Sequence, residues 1–380
     1  TNRFITHDGN DYVYGRGGDD IYDLGDGNDI ARASGGSDTI IGGNGTDALD
    51  YRWAEGSSGI TFDSADTLSI DVDTDGDGVI DRTETFYVVS NDGTGVSDYI
   101  YEIENIYTAD NANRNDNIKF NDEANTINTY NGSDEVWGRG GNDTINLGSG
   151  NDSALGGDGN DVINGGNGKD IIYGGNKDDI DGSGTTPGEV GNDDIDGGAG
   201  DDTIYGEAGD DFIEGGTEND TIYGGVGNDD LRGEDGDDSI FTGSGDDDVL
   251  GGDGLDTIYN QEGSDTINGG DKVDDLIYDD GTQGIDVRLD AGNTSVDSYG
   301  NTETITNIEN VEGTSHDDIF RGNDSDNHFK GKGGDDTFYV SIGDDKLDGS
   351  TGTEDLIDFS EVTIDGTAGD GTIDNKIDLE

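Results

Sequence analysis

The sequence predicts an all-β fold built from parallel β-roll blocks, with longer β-rich inserts that we expect to cap the blocks. Three observations predict it. An aspartate recurs every nine residues through long stretches, a glycine stands two positions before it, and the position two after it tends to be apolar. A short fixed period indicates that each repeat is one small structural element, which buries its apolar face by stacking on its neighbours.

The aspartates form two regular arrays and a degenerate third one. The first array consists of Asp11, Asp20, Asp29, Asp38 and Asp47. The second array consists of Asp134, Asp143, Asp152, Asp161, Asp170, Asp178, Asp193, Asp202, Asp211, Asp220, Asp229, Asp238, Asp247, Asp256, Asp265 and Asp274. The third runs through Asp318, Asn327, Asp336 and Asp345. Solvated loops that merely favour Asp and Gly would not place so many residues in one register.

Each repeat also contains the pattern of a very short strand. In the repeat from Gly197 to Tyr205, the residues after Asp202 alternate polar, apolar and polar, so one side chain points inward. The consecutive glycines before the aspartate allow a turn with positive φ. One strand per nine residues gives two strands and two turns per 18-residue coil, and stacked coils form a parallel β-roll.

The composition requires something outside the chain to hold it together. There are 91 acidic and 18 basic residues, a formal net charge of −73, and only 28% of residues are hydrophobic. Such low apolar content with such high net charge normally predicts disorder. The chain has no Cys, so disulfides and thiolate metal sites are excluded. We therefore expect bound cations to supply the missing positive charge.

The chemistry of the turn favours calcium. A glycine-rich turn gathers backbone carbonyl oxygens, and an aspartate at a fixed offset adds an anionic oxygen. Calcium prefers about six to eight such oxygen ligands. We expect several calcium ions, with ligands from the aspartates of both regular arrays except Asp178, together with Asp336 and Asp345.

Complete repeats such as Gly165 to Tyr173 match the nonapeptide G-G-x-G-x-D-x-U-x, where U is apolar. This pattern resembles the calcium-binding repeat of RTX (repeats-in-toxin) proteins. The resemblance implies that a turn and the turn two repeats further on share an ion. Asp11, Asp29 and Asp47 would then line one edge of the roll, and Asp20 and Asp38 the other.

The resemblance also implies a biological setting. RTX proteins are substrates of the bacterial type I secretion machinery, unfolded in the low-calcium cytosol and folded once they meet external calcium. It implies a secreted, extracellular location on the bacterial cell surface. The terminal residues suggest a piece of a longer protein, because Thr1 is not an initiator Met.

The period breaks once inside the second array. Asp178 and Asp193 are fifteen residues apart, and the segment between them contains the only proline, Pro187. We expect a turn bulging out of the roll, after which the register resumes. The repeat ending at Asp178 is one residue short and places Lys177 beside the turn, so we expect its calcium site to be weak or absent.

Two Gly-poor, β-rich segments interrupt the arrays and define the predicted domains. Open ends of a stacked sheet expose unpaired backbone, so we expect these inserts to act as caps. The predicted domains are a first roll at 1–50, an insert at 51–115, a second, long roll at 116–278, a second insert at 279–317, and degenerate repeats with the start of a further cap at 318–380.

The first insert contains a separate calcium motif. Its spacing fits a twelve-residue EF-hand-type loop, but the flanking residues predict strands instead of helices. The predicted ligands are Asp73, Asp75, Asp77, Val79 through its carbonyl, Asp81 and Glu84. The alternative is an acidic hairpin turn that binds nothing.

No catalytic motif is present, and we expect no enzymatic activity. The three histidines, His7, His316 and His328, fit structural roles, and the sequence has no H-E-x-x-H, nucleophile elbow or phosphate-binding loop. Carboxylates are too abundant to mark a glycosidase site. Nucleic acid is excluded as a partner because the acidic chain lacks the Lys and Arg that phosphate contacts need. No apolar run reaches the roughly 18 residues of a membrane span, so we expect no membrane insertion.

The function predicted first is a calcium-dependent folding and secretion module of a large bacterial surface protein or adhesin. Alternatives are an accessory module of a secreted protease, lipase or alginate epimerase, or a surface-layer component. A cell-surface or glycan ligand is also open, because Trp53, Trp137 and the 16 tyrosines could line a sugar-binding face. Ice binding requires a regular outward ladder of Thr and Asn, and the third position of the repeat varies too much for that.

Overall fold

In the computed structural model, the residues whose structure is described form strands and turns, and none of them lies in a helix. The described residues are 2–32, 36–52, 60–72, 82–92, 98–101, 103, 105–108, 115–175, 191–290, 294–339, 341, 343–352 and 354–358. Within them, nothing resembles a long apolar helix able to cross a membrane. The chain divides into two compact units, one from 1 to 199 without 180–182 and one from 200 to 380 that includes 180–182.

The first unit contains two sheets. Its strands are β1 (Arg3–Ile5), β2 (Tyr12–Tyr14), β3 (Ile21–Asp26), β4 (Ile30–Arg32), β5 (Thr39–Asn44), β6 (Ala48–Asp50), β7 (Ile60–Val72), β8 (Arg82–Asp92), β9 (Asp98–Tyr101), β10 (Asn105–Tyr107), β11 (Asn117–Lys119), β12 (Thr126–Asn128), β13 (Glu135–Gly140), β14 (Thr144–Ser149), β15 (Ser153–Asp158), β16 (Val162–Asn167), β17 (Ile171–Tyr173) and β18 (Asp194–Ala199). One sheet has the order β1-β3-β5-β9-β8-β7-β11-β13-β15-β17. The other has the order β2-β4-β6-β10-β12-β14-β16-β18.

The second unit repeats this design. Its strands are β19 (Thr203–Ala208), β20 (Phe212–Thr217), β21 (Thr221–Val226), β22 (Asp230–Asp235), β23 (Ser239–Ser244), β24 (Asp248–Asp253), β25 (Thr257–Asn260), β26 (Thr266–Asp271), β27 (Asp275–Tyr278), β28 (Asp286–Arg288), β29 (Ser295–Val296), β30 (Thr302–Thr306), β31 (Asn310–Glu312), β32 (Ile319–Arg321), β33 (His328–Lys330), β34 (Thr337–Tyr339), β35 (Lys346–Asp348) and β36 (Leu356–Asp358). One sheet has the order β19-β21-β23-β25-β27-β31-β33-β35. The other has the order β20-β22-β24-β26-β30-β29-β28-β32-β34-β36.

The strand register confirms the 18-residue coil. In parallel pairs such as β19 with β21, each residue faces the residue 18 positions later, and Thr203 faces Thr221. Consecutive strands alternate between the two sheets, so one coil contributes one strand to each. The fold is therefore an all-β parallel solenoid, as predicted.

The core is a thin column of one apolar side chain per strand. The middle residue of each three-residue pattern points inward, and its two neighbours lie on the outer face. The second-unit members that are buried to 1% exposure or less include Ile204, Ile213, Ile222, Leu231, Ile240, Val249, Ile258, Ile267 and Leu276. The predicted apolar column is thus confirmed for the described residues.

The register resumes after the irregular stretch, as predicted. Strand β16 pairs with β18, and Val162 faces Asp194, 32 residues later instead of 18. Asp178, Lys177 and Pro187 lie outside the described residues, so the prediction of a weak site at Asp178 stays a prediction.

The inserts do not cap open ends, and this corrects the expectation drawn from the sequence. In the first insert, β9 pairs in parallel with β5, β7 pairs in parallel with β11, and β8 lies antiparallel between β7 and β9. The insert therefore occupies the middle of a sheet and uses the edges of both flanking coils.

The second insert has the same topology. Strand β30 pairs in parallel with β26, β28 pairs in parallel with β32, and β29 lies antiparallel between β28 and β30. In each insert, one antiparallel strand separates two strands that continue the parallel stack. Thr61 of β7 pairs in parallel with β11, and Asp286 of β28 pairs in parallel with β32. The predicted domain boundaries remain predictions.

Candidate calcium rows

The repeated aspartates line up in two rows, one at each edge of the coils. We number the repeat so that its first glycine is position 1 and its aspartate position 6. The backbone N–H of each position-6 aspartate donates to Oδ1 of the position-6 aspartate one coil later, at 2.7–2.9 Å. Asp11, Asp29 and Asp47 follow one another in one row, and Asp20 precedes Asp38 in the other.

The rows of the longer array alternate in the same way. One row of the second unit is Asp202, Asp220, Asp238, Asp256 and Asp274, and the other is Asp211, Asp229, Asp247 and Asp265. In the first unit, the rows are Asp134, Asp152 and Asp170, and Asp143, Asp161 and Asp193. Asp193 accepts from Asp161, so it takes the next place in that row.

The second carboxylate oxygen has no donor at many of these positions. Oδ2 is buried and, among the described residues, without a hydrogen-bond partner at Asp29, Asp134, Asp143, Asp152, Asp161, Asp220, Asp229, Asp238, Asp247, Asp256, Asp265, Asp274 and Asp336. A buried carboxylate oxygen of this kind is strongly unfavourable unless a proton or a cation neutralises it.

Burial accordingly raises the pKa of these carboxyl groups. Loss of solvation raises the pKa of Asp134, Asp143, Asp152 and Asp265 to about 7, and that of Asp220 and Asp247 to about 8. The charges of neighbouring row members, such as Asp238 and Asp202 beside Asp220, raise the pKa further. Hydrogen bonds from the backbone of the preceding row member oppose the shift without cancelling it.

Glycine is required where the turns stack. A Cβ on Gly224, at position 1, would lie 2.8 Å from Oδ2 of Asp229. Gly168, at position 4, has φ of 136°, and a Cβ there would collide with the carbonyl oxygen of Gly150 one coil earlier. The turn thus brings carbonyl oxygens and a donor-free carboxylate oxygen into the same narrow space.

A second ladder, missed in the sequence analysis, runs along position 5. The side-chain oxygen of an Asn, Asp or Ser there accepts from the backbone N–H of position 5 one coil later. Asn228 accepts from Asp246 at 2.8 Å, and Asp246 accepts from Ser264 at 2.9 Å. The signal was the frequent Asn or Asp immediately before the repeated aspartate. In this ladder the later coil donates to the earlier one, whereas in the position-6 ladder the earlier coil donates to the later one. The position-5 hydrogen bonds join successive turns on their exposed side.

In two of the degenerate repeats, the second carboxylate oxygen accepts a hydrogen bond from the turn of its own repeat. Oδ2 of Asp318 accepts from the backbone N–H of Thr314 at 2.7 Å. Oδ2 of Asp345 accepts from the backbone N–H of Ser341 at 3.2 Å, and its Oδ1 accepts from the N–H of Asn327. Asp345, one of the predicted ligands, therefore lacks the donor-free oxygen that marks the rows, whereas Asp336 retains one.

The EF-hand-type prediction falls outside what the structure describes. Asp73, Asp75, Asp77, Val79 and Asp81 lie outside the described residues, and only the backbone of Glu84 is described, in β8. Trp53 is also outside them. Asp11 begins its row and is half-exposed.

Calcium fits the row geometry as one or two carboxylates plus backbone carbonyls. Among the described residues, no three His, Cys, Asp or Glu side chains converge on one point. A transition-metal site of several side chains is thus not what these turns offer, and hard oxygen atoms are the ligands calcium prefers. The donor-free Oδ2 atoms are the positions where a calcium ion would be held.

Comparisons with known proteins agree with this geometry. The family model for the RTX calcium-binding nonapeptide repeat (4 copies) matches residues 1–31, 24–52, 121–154, 148–181, 187–222, 223–258 and 312–353, more than half of the chain. A comparison with curated proteins finds no match. Among solved structures, the chain is similar to the X-ray crystal structure of a hyperactive, Ca2+-dependent, beta-helical antifreeze protein from an Antarctic bacterium.

That structural similarity has 18% sequence identity, covers 89% of this chain and 84% of the other, and has a TM-score of 0.31. A TM-score this low supports no conclusion about the present chain. The family match, together with the rows of repeated aspartates, shows that the chain belongs to the family of RTX calcium-binding nonapeptide repeat proteins and binds multiple calcium ions.

Proposed function

We propose that the chain is a calcium-driven folding module of a secreted bacterial surface protein, with calcium held along the aspartate rows. The observation that supports this most is the set of buried Oδ2 atoms without a donor in consecutive coils, from Asp220 to Asp274 in the second unit. The remaining predicted ligands in the rows, from Asp11 to Asp211, are proposed to act in the same way.

The chain's own residues account for the coupling between folding and binding. The inward column offers one apolar side chain per strand, which buries little surface against the conformational entropy of a nine-residue repeat. The carboxylates of each row lie one coil apart and repel one another. Calcium supplies positive charge at those oxygens, so its binding free energy becomes folding free energy.

The test is circular dichroism of the full chain in chelator, followed by titration with calcium. We expect little β signal in chelator and a cooperative gain with a midpoint of about 10⁻⁴ to 10⁻³ M, the range of extracellular calcium modules. A complete β signal in chelator would refute the proposed function.

The proposed location is extracellular, after export by type I secretion in an unfolded state. Family membership, the net charge of −73 and the absence of Cys support it. If this is correct, the chain fused to a type I secretion signal will be exported from a calcium-poor cytosol. Variants that fold without calcium will be retained.

The proposed adhesive role is carried by an uncharged face of the second unit. Tyr205, Tyr223, Phe241 and Tyr259 stack in a ladder on the outer face of the sheet that contains β19, β21, β23 and β25, with centroids 4.2–4.6 Å apart. Beside them on the same strands lies a second outward column of hydroxyl side chains, Thr203, Thr221, Ser239 and Thr257. Neither column contains a charge, in a chain that is otherwise strongly acidic.

The composition of this face suits an uncharged ligand that is rich in hydroxyl groups, and we propose a neutral glycan. The aromatic rings cover one another's faces, so they present edges and hydroxyl groups that can exchange hydrogen bonds with sugar hydroxyls. Binding of the calcium-loaded protein to neutral polysaccharides should weaken for Tyr223→Ala. Phe212→Ala, an outward aromatic on the opposite sheet, is the control. Equal loss in both variants, or no binding by the parent chain, would exclude this face.

A further inference from the structure

The carboxylate rows continue beyond the segments that match the family. Residues 259–311 lie between two matched segments and contain most of the second insert, including β28 to β30. Strands β26 and β30 place Thr266 opposite Thr304, so Asp265 and Glu303 occupy equivalent positions in successive layers. Both residues immediately precede their strand pattern. Glu303 is therefore the residue that follows Asp265 in its row.

Glu303 is fully buried, and neither of its carboxylate oxygens makes a well-formed hydrogen bond. Its exposed fraction is 0%, and among the described residues neither Oε1 nor Oε2 has a donor in hydrogen-bonding geometry. The backbone N–H of Asp265 and the side chain of Asn260 lie close enough to this carboxylate to favour its charged form. Glu309, which follows Asp274 in the other row, behaves differently. Its Oε2 accepts from the backbone N–H of Asp274 at 3.1 Å, and the residue is only partly buried.

Two further polar side chains replace glycine at this junction. Asn260 and Tyr278 both stand at position 1 and face each other across β25 and β27. Position 1 lies against Oδ2 of its own repeat: a Cβ on Gly251 would lie 2.6 Å from Oδ2 of Asp256. The amide nitrogen and oxygen of Asn260 and the hydroxyl of Tyr278 are buried without hydrogen-bond partners among the described residues.

The charges of neighbouring carboxylates act on both Glu303 and Tyr278, so these groups lie near one another. Burial raises the pKa of Glu303 to about 9, and the charges of Asp265 and Asp297 raise it further. Burial raises the pKa of Tyr278 as well, and the charges of Glu303, Asp297 and Asp265 add to that shift. Asp297 is satisfied by its own turn, where the N–H groups of Tyr299 and Asn301 donate to Oδ1.

Most of the buried atoms without a well-formed hydrogen bond at this junction are hard oxygen atoms. They are both carboxylate oxygens of Glu303, Oδ2 of Asp265, the amide oxygen of Asn260 and the hydroxyl oxygen of Tyr278; the amide nitrogen of Asn260 is the exception. No Lys or Arg contributes to the pKa shift of Glu303. A buried carboxylate in such surroundings needs a cation or a proton, and this oxygen set is the one calcium prefers.

We propose that Glu303, Asp265 Oδ2 and Asn260 hold a calcium ion at the junction between the last regular coil and the second insert. Glu303 lies outside the nonapeptide signature to which Asp265 belongs, and the inference rests on the proposed calcium-driven folding. Its consequence is specific: the ion fastens β30 to β26, the contact through which the insert joins the roll.

The test counts bound calcium by native mass spectrometry of the full chain. Glu303→Gln should lower the maximum by about one ion per chain, because the amide cannot supply the anionic oxygen of the site. It should also speed hydrogen exchange in residues 295–306. Glu262→Gln, the same change at an exposed position, should leave both unchanged. An unchanged count and unchanged exchange in Glu303→Gln would overturn the site and indicate that a proton neutralises Glu303.

A second measurement does not depend on the folding of a variant. Crystals of the wild-type chain grown with calcium should give an anomalous peak between Glu303 and Asp265. Filled rows without that peak would overturn this inference and leave the proposed function intact. A wild-type chain that binds no calcium anywhere would refute both.

Discussion

The regular coils from 202 to 278 and the degenerate coils from 318 to 348 form the same kind of solenoid, but they differ in strand length and in the side chains of the core. In the regular coils, the strands β20 to β24 are six residues long and the core is aliphatic. In the degenerate coils, β32 to β35 are three residues long and the core contains buried Phe320, Phe329 and Phe338. Phe320 stacks on Phe338 with centroids 5.1 Å apart.

The backbone conformation at position 2 of the turn determines whether the carboxylate of the repeat accepts a hydrogen bond from its own turn. In the regular coils, position 2 has positive φ, as in Gly225 and Glu234, and the strand continues through it. In the degenerate coils, the N–H of Thr314 or Ser341 instead turns inward and donates to the carboxylate four residues later. From this comparison we expect calcium dependence to differ between the two regions, because Asp318 and Asp345 of the degenerate coils accept hydrogen bonds from their own turns and those coils have an aromatic core.

The largest expected effect is that of acid on the metal-free chain. The pKa values of the row aspartates are raised to about 6–8 in the fold, above the value near 3.8 of an ordinary Asp. The metal-free fold therefore binds more protons than the unfolded chain, and its stability increases as the pH falls from about 8 to about 4.

Circular dichroism of metal-stripped protein should accordingly show more β structure at pH 5 than at pH 8.5. Calcium affinity should fall over the same pH window, because protons compete for the same oxygens. A metal-free chain with less β structure at pH 5 than at pH 8.5 would contradict the burial of these carboxylates.

The aromatic core of the degenerate coils predicts the next effect. Phe329→Ala should destabilise those coils by about 3–5 kcal/mol, through lost burial and a cavity. Hydrogen exchange with calcium present should accelerate at 318–348. The control is Ile240→Ala in the regular coils, which should accelerate hydrogen exchange in its own coil and leave exchange at 318–348 unchanged. An unchanged exchange rate in Phe329→Ala would show that the aromatic core does not hold this region.

A pair of isosteric substitutions sharpens the comparison further. Asp220→Asn should weaken calcium binding and destabilise its coil by about 1–3 kcal/mol, as expected when a buried charged partner is lost. Asp345→Asn should leave the calcium count unchanged, because Ser341 and Asn327 satisfy that side chain. Asp178→Ala should also lower calcium affinity less than Asp220→Ala does, because the site at Asp178 is predicted to be weak or absent. Equal calcium loss from Asp220→Asn and Asp345→Asn would remove the distinction between the two kinds of coil.

The smallest expected effect concerns the position-5 ladder. Asn228→Ala removes the acceptor for the N–H of Asp246 at an exposed turn and should cost about 0.5–1.5 kcal/mol. Calcium stoichiometry should not change, which titration of the variant will check. A lost ion in this variant would mean that the ladder is part of a calcium site.

Much of this architecture was predictable, because the period fixes it. The nine-residue spacing predicted the 18-residue coil and the inward column, and the resemblance to RTX proteins implied the two rows; residues such as Ile204 and Asp220 lie where these predictions placed them. The position of the inserts was not predictable, because the pairing of β9 with β5 and of β7 with β11 joins residues far apart in sequence.

The sequence also did not show which individual carboxylates accept a hydrogen bond from their own turn. Lys332 stands at position 2 of a degenerate repeat, yet it adopts a φ of 67°, and Oδ2 of Asp336 remains without a donor among the described residues. Thr314 at the same position caps its aspartate. Residue type at position 2 therefore does not determine the outcome, which depends on backbone conformation.

The central claim is that calcium holds the coils whose carboxylates have no donor. The most direct measurement is hydrogen exchange of the full chain, with calcium and in chelator, resolved by segment. The account predicts that amides in 202–278 lose their protection in chelator, while those in 318–348 keep a larger part of theirs. Full protection of 202–278 without calcium would contradict it.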